Sequence, residues 1–457
     1  MNGLPEPNGS ETTPISNDEP FFQRTDWFSF AITTVLVLIA YLLTLAPEVT
    51  LEFSGIFSAG AMYAGVPHPA GFPLWTLYAW LFSKLLPFSN IAWRVAFSSA
   101  VAGALACGVI ALMVSRGGKL FIKRIPAFTR LTPKELNLIC IVSGCVAGMG
   151  FAFDSAFWCN AVTVETWALS LLLFALALCF LMKWIYAPMG HCCLYAAALT
   201  YGLLLTDNQS LSVAAIGFQF LILFGNPALG REILLGTTLF LATILIARTC
   251  GRLPAFESIS LSDSIWQVYL VLCLITGLVS AGLALKSRRI LTEWRAALLT
   301  GFFLALGLSF YFYVPIASMT NPPMNWGYAR TLDGFIHTIS RGQYEGLHPT
   351  ESFLDFAGQM KLYFSRVLAD FGLMYLIPAL IPWVIFWKMG QPERSWMLGL
   401  LAVYFCLSFF LVAMLNPPPD LQAQQLLKEY FAASHLILAI WSGYGLVLVG
   451  GWVGRLK

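Results

Sequence analysis

The sequence predicts an all-α polytopic membrane protein of about twelve transmembrane helices, with interfacial helices in its first outer loop. Three observations carry that prediction. Of the 457 residues, 58% are hydrophobic and 11% charged, whereas a soluble domain carries roughly 25% charge. Apolar runs long enough to cross a hydrocarbon core of about 30 Å recur along the whole chain. Proline, acidic and polar residues gather in the intervals between them. One membrane domain, residues 27–457, absorbs this length, with outer loops at 47–93, 317–366 and 416–430.

The first 26 residues are polar and lack the basic start and apolar centre of a secretory signal, so they read as a disordered cytoplasmic tail. The apolar runs then follow at 27–46, 94–115, 137–157, 160–182, 192–206, 209–226, 233–249, 265–285, 296–316, 367–387, 396–415 and 431–451. Phe72 to Phe88 is ambiguous, being apolar but interrupted by Pro73, Lys84 and Pro87. Charge decides its status, because Lys and Arg accumulate in cytoplasmic loops. With this run lying in the interface, 17 of the 26 basic residues fall on the side of the N-terminus, including a loop holding Arg116, Lys119, Lys123, Arg124, Arg130 and Lys134. Making it a span would move that loop outside. Both termini are therefore expected to be cytoplasmic. Short loops and no large outer domain favour a bacterial inner membrane.

A net charge of +3 gives no reason to expect nucleic acid. The ten cysteines lie mostly within apolar runs, with no metal-ligand spacing and no disulfide framework. No metal-ligating residues are assigned, although a divalent metal remains possible.

This topology sorts the chemistry, placing 14 of the 23 acidic residues on the outer side. In GVPHPAGFPLW, residues 65–75, each proline fixes its own backbone and restrains its predecessor, which would hold His68 in place. The plain alternative is a loop that turns the chain onto the membrane surface. Glu48 and Glu52 precede this block just past a membrane exit. Asp154 and Glu165 sit at span ends, where a carboxylate is functional if it faces the interior and ordinary if solvated. Asp207 and Asn208 form a polar turn of low specificity. Asn325, Trp326, Arg341 and Tyr344 are gathered in NPPMNWGYARTLDGFIHTISRGQYEG, residues 321–346. The planar donors of Arg341 suit a phosphate, with a structural ion pair as the alternative. Lys428 could meet a lipid phosphate or simply anchor at the interface.

Four blocks give the chain a family likeness. They are residues 54–75 with SG and GVPHPAGFPLW, followed by Arg94; FWCNAVTVETWAL at 157–169; GLLLTDNQS at 202–210; and YVPIASMTNPPMNWG with SRGQY between 313 and 344. With them the chain resembles the GT-C superfamily of membrane glycosyltransferases, most closely the branch related to a vertebrate transmembrane protein O-mannosyltransferase. The resemblance implies a polyprenyl-phosphate sugar donor in the outer leaflet and a protein, lipid or glycan acceptor whose hydroxyl attacks the anomeric carbon with inversion. On that basis Glu52, with Glu48 as substitute, is the expected base. Glu165 is also assigned to catalysis. His68, Asp154, Asp207, Asn208, Asn325, Trp326, Tyr344, Arg341 and Lys428 are assigned to substrates, the last two to phosphate.

The chain departs from the family pattern at four positions. Phe53 and Ile56 stand where the family has the acids of D-S-G-E, Asn208 replaces a His, and Ala317 replaces an Arg. Two other readings therefore stay open: a transporter or flippase of lipid-linked sugars, and a catalytically silent relative that binds lipid or protein. The absence of an internal repeat weighs against the transporter.

Overall fold

A backbone within lipid has no water to satisfy its N–H and C=O groups, so each spanning segment must close its hydrogen bonds internally. The computed structural model follows this rule. It describes residues 20–51, 53–123, 125, 131–187, 190–250, 263–342, 344, 348–418, 420 and 427–456.

Among these residues, ten helices are long and apolar enough to cross a membrane, and two shorter apolar ones, Cys192–Asp207 and Gln209–Gly225, complete a set of twelve. They match the twelve predicted runs in order. The helices are α1 (Arg24–Leu43), α2 (Ser54–Tyr63), α3 (Pro73–Leu85), α4 (Ile91–Lys123), α5 (Pro133–Ala152), α6 (Ser155–Val162), α7 (Trp167–Tyr186), α8 (Cys192–Asp207) and α9 (Ala214–Gly225). They continue with α10 (Pro227–Thr249), α11 (Asp263–Ser287), α12 (Trp294–Leu308), α13 (Tyr313–Met319), α14 (Leu332–Ile339), α15 (Phe353–Val384), α16 (Gln391–Phe405), α17 (Leu411–Leu415) and α18 (Ala432–Arg455).

Local chemistry sets many of the starts. Thr132 and Glu135 form a reciprocal capping box ahead of Pro133 in α5. The side chains of Asn226 and Asp154 accept from the first backbone N–H groups of α10 and α6. The doubtful run of 72–88 becomes α3, whose 13 residues extend only about 20 Å and cannot cross the bilayer. With α2 it makes the 47–93 connection a pair of short helices.

Helices α4, α7 and α18 form the buried centre, whereas α11 and α12 turn most of their surface outward. Exposed Leu270, Val271, Leu274 and Leu278 on α11 need no soluble partner, because lipid covers such a face.

Contacts divide the connecting segments between two ends of the bundle. At one end, Asp26 at the start of α1 pairs with Lys119 near the end of α4 at 2.8 Å, and Arg231 meets Glu232 and the 287–292 turn. At the other end lie the 47–93 loop, the 207–209 turn, the segment after α13 and the approach to α18. Arg116 and Lys119, expected in a loop, belong to the last two turns of α4 and are buried. Lys119 is neutralised by Asp26, which also accepts from Ser115 Oγ at 2.7 Å. Two opposite charges that compensate one another let the helix run past the predicted boundary. Likewise α1 starts at Arg24, inside the stretch assigned to the tail.

Removing one member of a buried pair strands the other, at a cost of about 3–5 kcal/mol. Lys119→Met should therefore lower the thermal midpoint of the purified protein. Combining it with Asp26→Leu should recover most of the loss, as followed by thermal unfolding in detergent.

Candidate active site

The two most distinctive blocks of the sequence are paired. Val66 of the first loop donates to the Met324 carbonyl at 2.9 Å, and Trp326 N–H returns a bond to the Val66 carbonyl at 2.9 Å. This isolated parallel bridge joins Val66 and Asn325. Gly65 makes it possible, since a Cβ there would lie 2.2 Å from the Met324 carbonyl oxygen. Tyr313 at the start of α13 closes the back of the bridge by donating to the carbonyls of Ala64 and Gly65.

His68 is held in a ring of aromatics. Phe53, Trp326 and Tyr344 have centroids 4.7, 5.6 and 5.9 Å from its own, with Phe57 and Phe72 completing the enclosure. Its Nδ1 lies 2.8 Å from the Pro69 carbonyl oxygen, so the network assigns the ring proton there. Nε2 is then the acceptor for Tyr344 O–H at 2.7 Å. Burial first, and then the charge of Arg341, lower the His68 pKa from 6.5, against the opposing bond to Pro69. At neutral pH the ring is uncharged, as an acceptor must be.

A second set of contacts fixes the base of this group. The first backbone N–H groups of α3 need an acceptor, and Phe72 before them has no polar side chain. Asp207 supplies one from another helix, accepting from Trp75 N–H at 2.9 Å and from Leu74 N–H. Its Oδ2 is buried without a hydrogen-bond partner. The Trp75 indole donates to the Glu165 carbonyl at 3.1 Å, as Ser99 Oγ does at 3.2 Å. Asn208 caps the following turn through Ser210. Gln209 donates to Tyr311 Oη at 2.9 Å and to the Ile339 carbonyl at 2.8 Å.

Arg341 occupies a left-handed backbone position with φ of 56°. It shares a side-chain hydrogen bond with Tyr430, while its Nε is buried and has no partner. Asn325 similarly keeps Oδ1 buried and unpaired while its Nδ2 donates to the Ser318 carbonyl at 3.2 Å. The group therefore contains a cation with an unused donor, next to an aromatic enclosure.

The structure thus brings His68, Asn325, Trp326, Arg341 and Tyr344 together. Asp207, Asn208 and the backbone of Glu165 serve as their frame. Glu48 is exposed, and Lys428 is half-buried in the turn leading to α18. Glu52 lies outside the described residues. Asp154 belongs to a different cluster: its Oδ1 caps α6 through Phe157 N–H at 3.0 Å, and its Oδ2 lies 2.6 Å from His435 Nδ1. Among the described residues, one triad has donor atoms close enough for a metal ion, namely Asp154, Asp370 and His435. Sequence reasoning passed over Asp370 and His435, although ionisable residues within apolar runs are the signal that finds such positions. It also passed over Tyr430, and it read Trp75 at most as an interface anchor, whereas Trp75 is buried and donates to the Glu165 carbonyl.

A family model described as the N-terminal domain of Protein O-mannosyl-transferase TMEM260 matches residues 54–229. Protein O-mannosyl-transferase tmem260 of Dictyostelium discoideum is 21% identical over 446 residues, which cover 92% of this chain and 44% of that protein. Protein O-mannosyl-transferase TMEM260 of Mus musculus is 34% identical over 101 residues, covering 21% of this chain and 14% of its own length. The alignments thus take in less than half of either relative. No solved structure matches.

The enclosure holds neutral His68, so its stabilising contribution should be complete above the unfolded imidazole value of about 6.5 and be lost as pH falls through the lower folded value. Thermal midpoints measured between pH 7.5 and 5 should fall more steeply for the wild type than for His68→Phe.

Proposed function

We propose that this chain, which is similar to the TMEM260 protein O-mannosyl-transferases, transfers a sugar from a polyprenyl-phosphate donor to a hydroxyl on a protein. The observation that carries the reading is the joining of His68, Trp326, Tyr344 and Arg341 across the Val66–Asn325 bridge. The donor set includes a guanidinium whose Nε–H is buried and unused. A phosphate oxygen satisfies such a donor, and a planar guanidinium suits phosphate geometry. The aromatic faces suit a sugar ring, whose C–H surfaces pack on π systems while its hydroxyls find polar edges.

The GT-C chemistry then proceeds in one displacement. The acceptor oxygen attacks the anomeric carbon, and the bond from that carbon to the phosphate oxygen breaks with inversion. The hydroxyl proton goes to a carboxylate, for which Glu52 or Glu48 is the candidate. The electron pair stays on the lipid phosphate, where Arg341 stabilises the charge, with Lys428 a further cation on the approach to α18. His68 and Tyr344 orient the partners. The bundle end bearing these residues faces away from the cytoplasm, in keeping with the basic residues at the opposite end.

A second reading has an observation of its own. Phe53 stands where the family pattern has an acid, and its ring lies 4.7 Å from the His68 ring. A carboxylate there would contact the imidazole directly, whereas this chain has an apolar lid. That arrangement favours a relative that binds lipid-linked sugar without transferring it.

One assay separates the two readings. The chain in proteoliposomes with polyprenyl-phosphate mannose and a Ser/Thr peptide should form O-mannosyl peptide. Arg341→Gln should reduce the rate at least tenfold, about 1.4 kcal/mol of transition-state stabilisation. Glu48→Gln combined with Glu52→Gln should abolish transfer while leaving donor binding intact. Unchanged transfer in that double variant refutes the carboxylate role, and donor binding with no transfer by the wild type selects the second reading.

A further inference from the structure

Away from the His68 group, three ionisable side chains from three distant segments meet at the same end of the bundle. Asp154 comes from the turn between α5 and α6, Asp370 from α15 and His435 from the first turn of α18. One ligand atom from each lies within 4.8 Å of the other two. Asp154 and His435 are buried, and Asp370 is half-buried.

Their internal bonds do not use up the donors. His435 Nδ1 faces Asp154 Oδ2 at 2.6 Å, but its Nε2 is buried with no partner. Leaving a buried polar atom unsatisfied is unfavourable. Asp370 accepts from Ser155 Oγ at 2.7 Å through Oδ1 alone. Two carboxylates and one imidazole around a shared point carry excess negative charge, and no Lys or Arg forms an ion pair with any of the three among the described residues.

The backbone is shaped around this point. Helix α15 breaks at Gly372, where φ is 65° and ψ 164°, two residues after Asp370. Asp154 sits at the cap between α5 and α6 instead of within either helix. Both carboxylates are thus carried at helix interruptions, where the chain can bring an oxygen inward by small adjustments. Ligands at about 2.1 Å in a tetrahedral shell lie roughly 3.4 Å apart, so a bound ion would draw Asp370 inward and take the place of the short contact between His435 Nδ1 and Asp154 Oδ2.

We propose that Asp154, Asp370 and His435 bind one divalent transition-metal ion, zinc or manganese, which clamps the α5–α6 turn, the broken helix α15 and the start of α18 together. One imidazole nitrogen with two carboxylate oxygens suits such an ion, and water completes the shell. The clamp is structural and does not depend on the sugar-transfer reading.

The test uses the purified full chain in detergent, stripped of metal and then given Zn²⁺ alone or Mn²⁺ alone. Wild type should retain about one equivalent after gel filtration, measured by plasma mass spectrometry. Its thermal midpoint should rise with metal, because binding to the folded state alone stabilises it. Asp370→Asn preserves the acceptor for Ser155 and leaves the Asp154–His435 pair in place, so it should fold as the wild type does in circular dichroism. It should nevertheless bind at least tenfold more weakly and lose the metal-dependent rise. His435→Gln should abolish retention, and X-ray absorption of the Zn²⁺ form should show nitrogen and oxygen ligands without sulfur. Retention of neither ion by the wild type, or equal affinity in Asp370→Asn, overturns the proposal. Zinc bound through sulfur overturns it as well.

Discussion

Two backbone hydrogen bonds, between Val66 and the Met324–Trp326 segment, organise one whole end of this molecule. A membrane bundle satisfies its backbone within each helix, and only where the chain leaves helical geometry must it find partners elsewhere. The first loop and the segment after α13 both leave it, and each supplies what the other lacks. Once they are paired, the rest follows sterically. Gly65 has no room for a side chain, Tyr313 reaches the carbonyls behind it, and the His68 ring is carried against Trp326 and Tyr344. Asp207 does the same from beneath, by capping a helix in a different part of the chain. The site is therefore a product of unsatisfied backbone groups, held by residues that never need to touch a substrate.

The fold was legible in the sequence because lipid makes hydropathy nearly sufficient. A span must be apolar over a fixed length, and each of the twelve predicted runs coincides with a helix. The loop boundary at Arg116 and Lys119 was misread for an equally physical reason: a charge inside a bundle is tolerated when an opposite charge meets it, and Asp26 is remote in sequence. The site was legible where it depended on stiff or distinctive residues, as in GVPHPAGFPLW and NPPMNWG. It was illegible where it depended on pairing across helices. Nothing near Asp154 in the sequence points to His435, 281 positions away, and nothing near Trp75 points to Asp207. Asp370 and His435 were hidden inside apolar runs whose hydropathy they barely alter.

The contact between Phe53 and His68 gives the departures from the family pattern a physical meaning. A phenyl ring where the resemblance implies an acid brings no charge and adds apolar cover beside the imidazole, and burial lowers the imidazole pKa. On the proposed reading, the enclosure is a binding surface that orients through Tyr344 and shape, and proton acceptance falls to a carboxylate outside the ring. On that same reading, binding and chemistry, which a single acidic position could serve together, are divided between different residues.

Helix α4 gives these parts a common mechanical frame. It runs unbroken for 33 residues, with Lys119 locked to Asp26 at one end and, at the other, Arg94 bonded to the carbonyls of Ser83 in the last turns of α3 and of Phe88 and Ser89 beyond it. The distance between those two anchors is about 38 Å along the axis. A rod of that length converts a tilt of about 5° at the Lys119 end into a lateral displacement of about 3 Å at Arg94. Changes in bilayer thickness, which helices accommodate by tilting, would thus be felt as motion of the loop that carries His68. Lipid composition would then act on the geometry of the site through that rod.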